Sequence, residues 1–143
     1  MGNVISNLNK VMNHEIIYTI NASLDINALN SFMGKVWKDH MWIDYNQVLS
    51  RSLSYITAHW GNEIIGFINI AWDGNKHAFL LDTSVDPNFR NKGIGKELVV
   101  KAISACKANS IEWIHVDYEE KYESFYRQCG FVQRTSASLL HLI

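Results

Sequence analysis

The sequence predicts a single α/β domain in which a mixed, largely antiparallel sheet is flanked by about four helices. Three observations predict it. The apolar period switches between 3.6 and 2 along the chain, hairpin-type turns join three consecutive strand-like runs, and a glycine-containing loop carries the last of these into an amphipathic helix. With 143 residues, 48% of them hydrophobic, the chain can bury a sizeable core but is too short for two ordinary domains.

HEIIYTI (14–20) has the β-branched and aromatic content of a strand, and Ser23 or Asp25 then offers a helix N-cap. Ile26, Leu29, Met33, Val36 and Trp37 repeat at helical spacing, and a shorter helix follows Asp44 with Tyr45, Val48 and Leu49 on its buried side. SYITAHW, EIIGFINIAW and HAFLLDTSV read as three antiparallel strands punctuated by Gly61-Asn62 and Asp73-Gly74-Asn75. The single proline, Pro87, closes the last of them, where no further ladder donor is wanted. Leu98, Val99, Ala102, Ile103 and Cys106 form the next helical stripe, which places Cys106 in the core. IEWIHVDY (111–118) reads as a strand. A fourth helix spans 119–129 with Tyr122, Phe125, Tyr126 and Cys129 on one face, and Gly130 ends it. Phe131–Val132 and Ser138–Leu142 read as closing strands.

Composition excludes several function classes. Thirteen basic against fourteen acidic residues leave a formal net charge of −1, so neither nucleic acid nor an anionic membrane is expected as a partner. Two cysteines without a C-x-x-C pair, and six histidines never closer than 18 residues, indicate neither a disulfide framework nor a metal site. The lack of a long apolar run or a signal-peptide pattern predicts a soluble, cytoplasmic setting. Residues 1–13 read as a polar leader. MGNVIS at its start fits the loose pattern that marks Gly2 for myristoylation, but the asparagines and Lys10 that follow favour the plainer reading.

The loop RNKGIGKE (90–97) sets glycines at 93 and 95 among Arg90, Lys92 and Lys96, at a strand-to-helix junction. A Walker A loop needs glycine at 90 and Ser or Thr after the lysine, where Arg90 and Glu97 stand. A dinucleotide fingerprint needs a small residue at 98, where Leu98 stands. Glycines that bare the backbone, a helix N-terminus with unpaired amides and three cations still suit an anion. A tight turn with solvated lysines explains the loop equally well.

VDPNFRNKGIGKELVVKAI (85–103) resembles the signature region of the GNAT superfamily, the acetyl-CoA-dependent N-acetyltransferases, whose core pattern R/Q-x-x-G-x-G/A is met by Arg90, Gly93 and Gly95. FYRQCGF (125–131) resembles the family's second landmark, and the element order over 14–142 fits as well. The resemblance implies an N-acetyltransferase domain over 14–143. Acetyl-CoA is then the co-substrate, its pyrophosphate cradled by the amides of Asn91, Lys92, Gly93, Ile94, Gly95 and Lys96 beside Arg90, and its thioester carbonyl met by the main-chain N–H of Val85. In one respect the chain departs from the pattern. Asp117, Glu119 and Glu120 stand where many relatives use an asparagine towards the pantetheine arm.

The implied reaction needs a proton for the departing thiolate, and a phenol with a pKa of about 10 can supply it to a thiol of about 8.5. Periodicity alone makes Tyr126 a core aromatic; the resemblance makes it the acid. Asp82, on the strand leading into the thioester site, is the candidate base, with His115 and Asp117 as alternatives and unassisted attack by a neutral amine as another. Trp37, Trp42, Tyr45 and Trp72 are candidates for an aromatic acceptor pocket, with Asp39 and Asp44 for a cationic group, or else for core packing and a helix cap. The expected partner is an amine-bearing small molecule or peptide, and a homodimer is compatible with the sequence. A non-catalytic acyl-CoA-binding or regulatory module of the same fold is the alternative reading.

Overall fold

The computed structural model of the protein describes residues 15–143, so the leader and its MGNVIS pattern lie outside the described residues. Strands β1 (Ile16–Ile20), β2 (Ser54–Trp60), β3 (Glu63–Trp72), β4 (His77–Val85) and β5 (Trp113–His115) form one sheet in chain order. The first four pair antiparallel and β5 runs parallel to β4. The mixed, largely antiparallel sheet predicted from the sequence is therefore present.

Helices α1 (Ile26–Val36) and α2 (Tyr45–Ser50) cover one face of the sheet. Leu29, Phe32 and Met33 of α1 and Tyr45 of α2 bury against Ile64 and Phe67 of β3. Both helices start at aspartates: Asp25 accepts from the amides of Asn27 and Ala28, and Asp44 accepts from that of Asn46. The opposite face carries α3 (Ile94–Ala108), whose Leu98, Val99, Ala102 and Cys106 pack on Ile56, Ile65, Ile68, Ile70 and Leu80. Cys106 is in this core as its stripe predicts, and burial pushes its thiol pKa up to about 11.

Two irregularities shape the sheet. In the β2–β3 ladder Ala58 pairs with Gly66 and His59 with Ile64, so Ile65 is an extra residue of β3. In the β3–β4 ladder Phe67 pairs with Ser84 and Asn69 with Leu81, so β4 carries the extra residue at Asp82–Thr83, and Asp82 takes a φ of 58°. The β4–β5 pairing ends at Phe79 opposite His115, six residues before β4 itself ends. Among the described residues, no strand lies beside the edge of β4 beyond that point.

Four elements differ from the sequence expectation. Only Trp113–His115 of the 111–118 run is a strand, because Val116 and Tyr118 turn into the α3-side core instead of extending the ladder. The helix expected over 119–129 is a 3-10 turn, Glu120–Tyr122, followed by α4 (Glu123–Gln128). With three residues per turn instead of 3.6, the 3-10 segment rotates Tyr122 off the buried stripe, leaving it exposed while Tyr126 is buried. The expected strands at Phe131–Val132 and Ser138–Leu142 are absent: residues 131–143 have no ladder partner, and Val132, Leu139, Leu140 and Leu142 lie exposed. The three-residue β5 presents too short an edge to template them.

Gly66 sets how closely α3 approaches the sheet. A Cβ there would lie 3.1 Å from Ala58 Cβ, Ile94 Cγ2 and Leu98 Cδ1. Gly66→Val should therefore lose about 1–3 kcal/mol of stability through overpacking, read as a lower midpoint in urea with an unchanged m-value.

Candidate active site

The chain leaves β4 through Asp86, whose side chain accepts from the Asn88 amide and caps the 3-10 turn Pro87–Phe89. Its own amide donates to the Ile65 carbonyl at 2.8 Å. Backbone donors alternate along a strand, and Val85 stands opposite Gly66 in the next, non-hydrogen-bonded position. The Val85 amide and carbonyl therefore point away from β3, towards the edge that β5 has left. Arg90 Nε donates to that carbonyl at 3.4 Å.

The loop then turns through left-handed backbone at Asn91 (φ 60°) and Gly93 (φ 79°). Gly93 is the N-cap of α3, and the first α-helical bond runs from the Glu97 amide to its carbonyl at 3.0 Å. The amides of Ile94, Gly95 and Lys96 precede that bond and have no acceptor within the helix, while the dipole makes this end positive. Lys92 lies over the Phe89 ring at 5.8 Å. A Cβ at Gly95 would be 3.5 Å from the Phe125 ring and 3.6 Å from Val85 Cγ2, so glycine keeps the backbone bare where loop, β4 and α4 converge. These residues fit a pyrophosphate: unpaired amides, a positive helix end, cations and no side chain in the way.

α4 brings Tyr126 to the same edge. It is 7% exposed, stacked on Tyr118 at 4.8 Å and edge-on to Phe125 and Phe131, and its hydroxyl lies on the side of Thr83. Burial raises its pKa above the ordinary phenol value; the Thr83 hydroxyl works against that, and Cys129, Asp117 and Tyr122 add to it. Tyr126, Val85, Arg90 and the loop from Asn91 to Lys96 are thus gathered on one edge of β4.

Asp82 is placed differently. The bulge turns its carboxylate to the α1–α2 side, beside His40 and Tyr45, whereas Thr83 faces Tyr126. Asp82 keeps contact with solvent, yet the protein crowding its carboxylate raises its pKa above the ordinary value, with His40 pulling the other way. The Tyr45 phenol, 1% exposed, is pushed up to about 12 by burial and by the Asp82 charge, and its hydroxyl has no hydrogen-bond partner. The geometry separates His115 from this group: it sits opposite Phe79, four residues and about 13 Å along an extended strand from Thr83.

The segment between α1 and α2 is held by one side chain that sequence reading missed. Asn30 donates to the carbonyls of Ile26 and Ile43, and its oxygen accepts from the Ile43 amide and meets His40 Nε2 at 2.9 Å. A polar residue one turn after Ile26 on an otherwise apolar helix face was the available signal. Trp37 closes the other end, its Nε1 donating to Ser84 Oγ at 2.9 Å. Of the other pocket candidates, Asp44 caps α2 and Tyr45 is core. Trp42 reaches Asn27 at the start of α1. Trp72 ends β3 opposite Ala78, at the far end of the ladder from Val85.

The chain belongs to the acetyltransferase (GNAT) family, whose model matches residues 25–131. It is 27% identical over 128 residues to a probable acetyltransferase, TAP2, of Glycine max, covering 82% of this chain and 52% of that one. The chain spans about half the length of the curated relatives it matches first. Among solved structures, the GNAT family protein SP0256 of Streptococcus pneumoniae TIGR4 superposes with a TM-score of 0.73 at 24% identity, covering 89% of this chain and 98% of that one. The aminoglycoside N-acetyltransferase AAC(6')-Iy in complex with CoA gives 0.75 at 15% identity, over 90% and 95%. These likenesses establish the fold. Among the described residues, no helix is long and apolar enough to cross a membrane.

The Asp82 shift carries a stability consequence. Its folded-state pKa lies above the unfolded value, so its favourable contribution is full below the ordinary value near 3.8 and is lost as pH rises through the raised folded value. Asp82→Asn should therefore gain stability relative to wild type as pH is taken from 3.5 to 7, a trend read from paired urea denaturations about half a pH unit apart.

Proposed function

We infer that the protein is an acetyl-CoA-dependent N-acetyltransferase acting on a primary amine of a small molecule or peptide. The observation that carries this reading is the outward-facing Val85 amide on the freed edge of β4, flanked by the bare glycine loop on one side and the Tyr126 hydroxyl on the other. The family match and the CoA complex of a structural neighbour support acetyl-CoA as the donor.

The unpaired amides of Ile94, Gly95 and Lys96, with Arg90, Lys92 and Lys96, hold the pyrophosphate, and this anchors the thioester against β4. The Val85 N–H donates to the thioester carbonyl oxygen and strengthens that bond as the amine nitrogen adds to the carbon and negative charge builds. Asp82, with its raised pKa, accepts the amine proton directly or through one water across the strand. Tyr126 gives its proton to the coenzyme sulfur as the carbon–sulfur bond breaks, leaving an N-acetyl amide and the free thiol. Burial keeps that phenol protonated until the thiolate appears.

Thiol release from acetyl-CoA across a library of primary amines tests the reading. Acetyl-CoA binding without turnover on any amine would replace it with a non-catalytic acyl-CoA-binding module. Acetyl-CoA should raise the melting temperature by mass action, and Gly95→Val should abolish the shift because its side chain fills the space towards Phe125 and Val85. An unchanged shift would remove the loop from the binding site.

Tyr126→Phe keeps the ring stacked on Tyr118 and deletes the only proton the residue can give. Single-turnover rates should fall about 10²-fold or more with acetyl-CoA affinity near wild type. Wild-type chemistry in this variant would return Tyr126 to a packing role.

A further inference from the structure

His77 and His115, 38 residues apart in sequence, meet on the α1–α2 face of the sheet where β4 and β5 last pair. His77 Nδ1 lies 2.7 Å from His115 Nε2 and the ring centroids are 5.0 Å apart. The register explains the meeting: Phe79 stands opposite His115, and His77 is two residues earlier on the same face. Phe79 stacks on the His115 ring at 4.8 Å and fixes its plane. The surrounding charge favours a cation. Asp73 accepts the His77 amide at 3.2 Å, which keeps a carboxylate next to the pair. The adjacent ammonium of Lys76 is turned away to the Ser110 carbonyl at 3.3 Å.

We propose that His77 and His115 form a two-histidine site for a borderline divalent cation such as Zn²⁺. Two imidazole nitrogens converging on one point are the donor set such ions prefer, and water completes the shell. Among the described residues no group of three or more ligating side chains is gathered, so the pair supplies both protein donors. As a hydrogen-bonded pair, one ring must direct an N–H at the lone pair of the other. On binding, that ring's proton sits on its other nitrogen, so each imidazole presents one lone pair to the ion. Zinc–nitrogen bonds of 2.0–2.1 Å in a tetrahedral arrangement require the two nitrogens to open to about 3.3 Å. Both rings are accessible enough to move that far. The bound ion ties β4 to β5 at the place where they part. The site is independent of the acetyl-transfer reading.

Calorimetric titration of the full chain with Zn²⁺ alone at neutral pH tests it. One ion should bind per chain, and His77→Asn or His115→Asn should each weaken binding at least about tenfold, since losing a ligand costs no less than losing an outer-shell contact. His141→Asn should leave it unchanged. Zn²⁺ should also raise the melting temperature of the wild type but of neither pair variant. Unaltered metal-free melting would show that the variants fold. In NMR spectra the imidazole signals of His77 and His115 should move and those of His40 and His59 should not. Absence of binding, or equal affinity in the wild type and both pair variants, would overturn the proposal.

Discussion

The site depends on a single constraint: β4 is longer than the strand that runs beside it. Pairing with β5 stops at Phe79 and His115, and from there to Val85 the backbone groups on that edge lack a strand partner. An edge of unpaired donors is ordinarily a liability. Here α4 and the glycine loop close around it, so the same unpaired donors become available to a ligand. The extra residue at Asp82–Thr83 adds a second effect, shifting the alternation so that Asp82 faces the α1–α2 side and Thr83 the α3 side. The proposed acid and base are thereby held on the two sides of one strand.

The position of the loop follows from packing rather than from the loop itself. Gly66 lets Ile94 and Leu98 settle against β3, and this fixes the start of α3. The Asp86 amide ties the end of β4 to Ile65, the extra residue of the first bulge. Both irregularities of the sheet therefore act beside the end of β4 at Val85. On the α1–α2 side the corresponding anchors are Asn30, which satisfies both backbone groups of Ile43, and Trp37, which bonds Ser84 next to Val85. Losing Asn30 would take the bonds it makes from the Ile43 amide and His40 Nε2, so its polar side chain within an apolar stripe has a structural reason.

Where sequence reading went astray, the competing force can be named. The 111–118 run has the composition of a strand, but its second half buries Val116 and Tyr118 in the α3-side core, and burial decided against the ladder. The stripe from Tyr122 to Cys129 has helical spacing, yet a tighter first turn swings Tyr122 out to solvent. Ser138–Leu142 carries strand-forming residues, but pairing requires an edge as well as a propensity. In both long-range cases the deciding partner was distant in sequence.

Local chemistry was legible from the sequence alone. The caps at Asp25 and Asp44, the hairpin turns, the buried stripe through Cys106, the left-handed glycine at 93 and the family signature all rest on interactions within a few residues of each other, and spacing encodes those directly. Only the tertiary structure decided the rest. The direction of the Val85 amide depends on ladder register with β3, the facing of Asp82 on a bulge, and the placement of Tyr126 near Thr83 on α4 folding back to β4. Sequence spacing argued against any histidine cluster, whereas parallel pairing of β4 with β5 brought His77 and His115 into contact across 38 residues. Register between strands is set by the packing of whole faces against α1 and α3, a property of the assembled core that no short stretch of sequence contains.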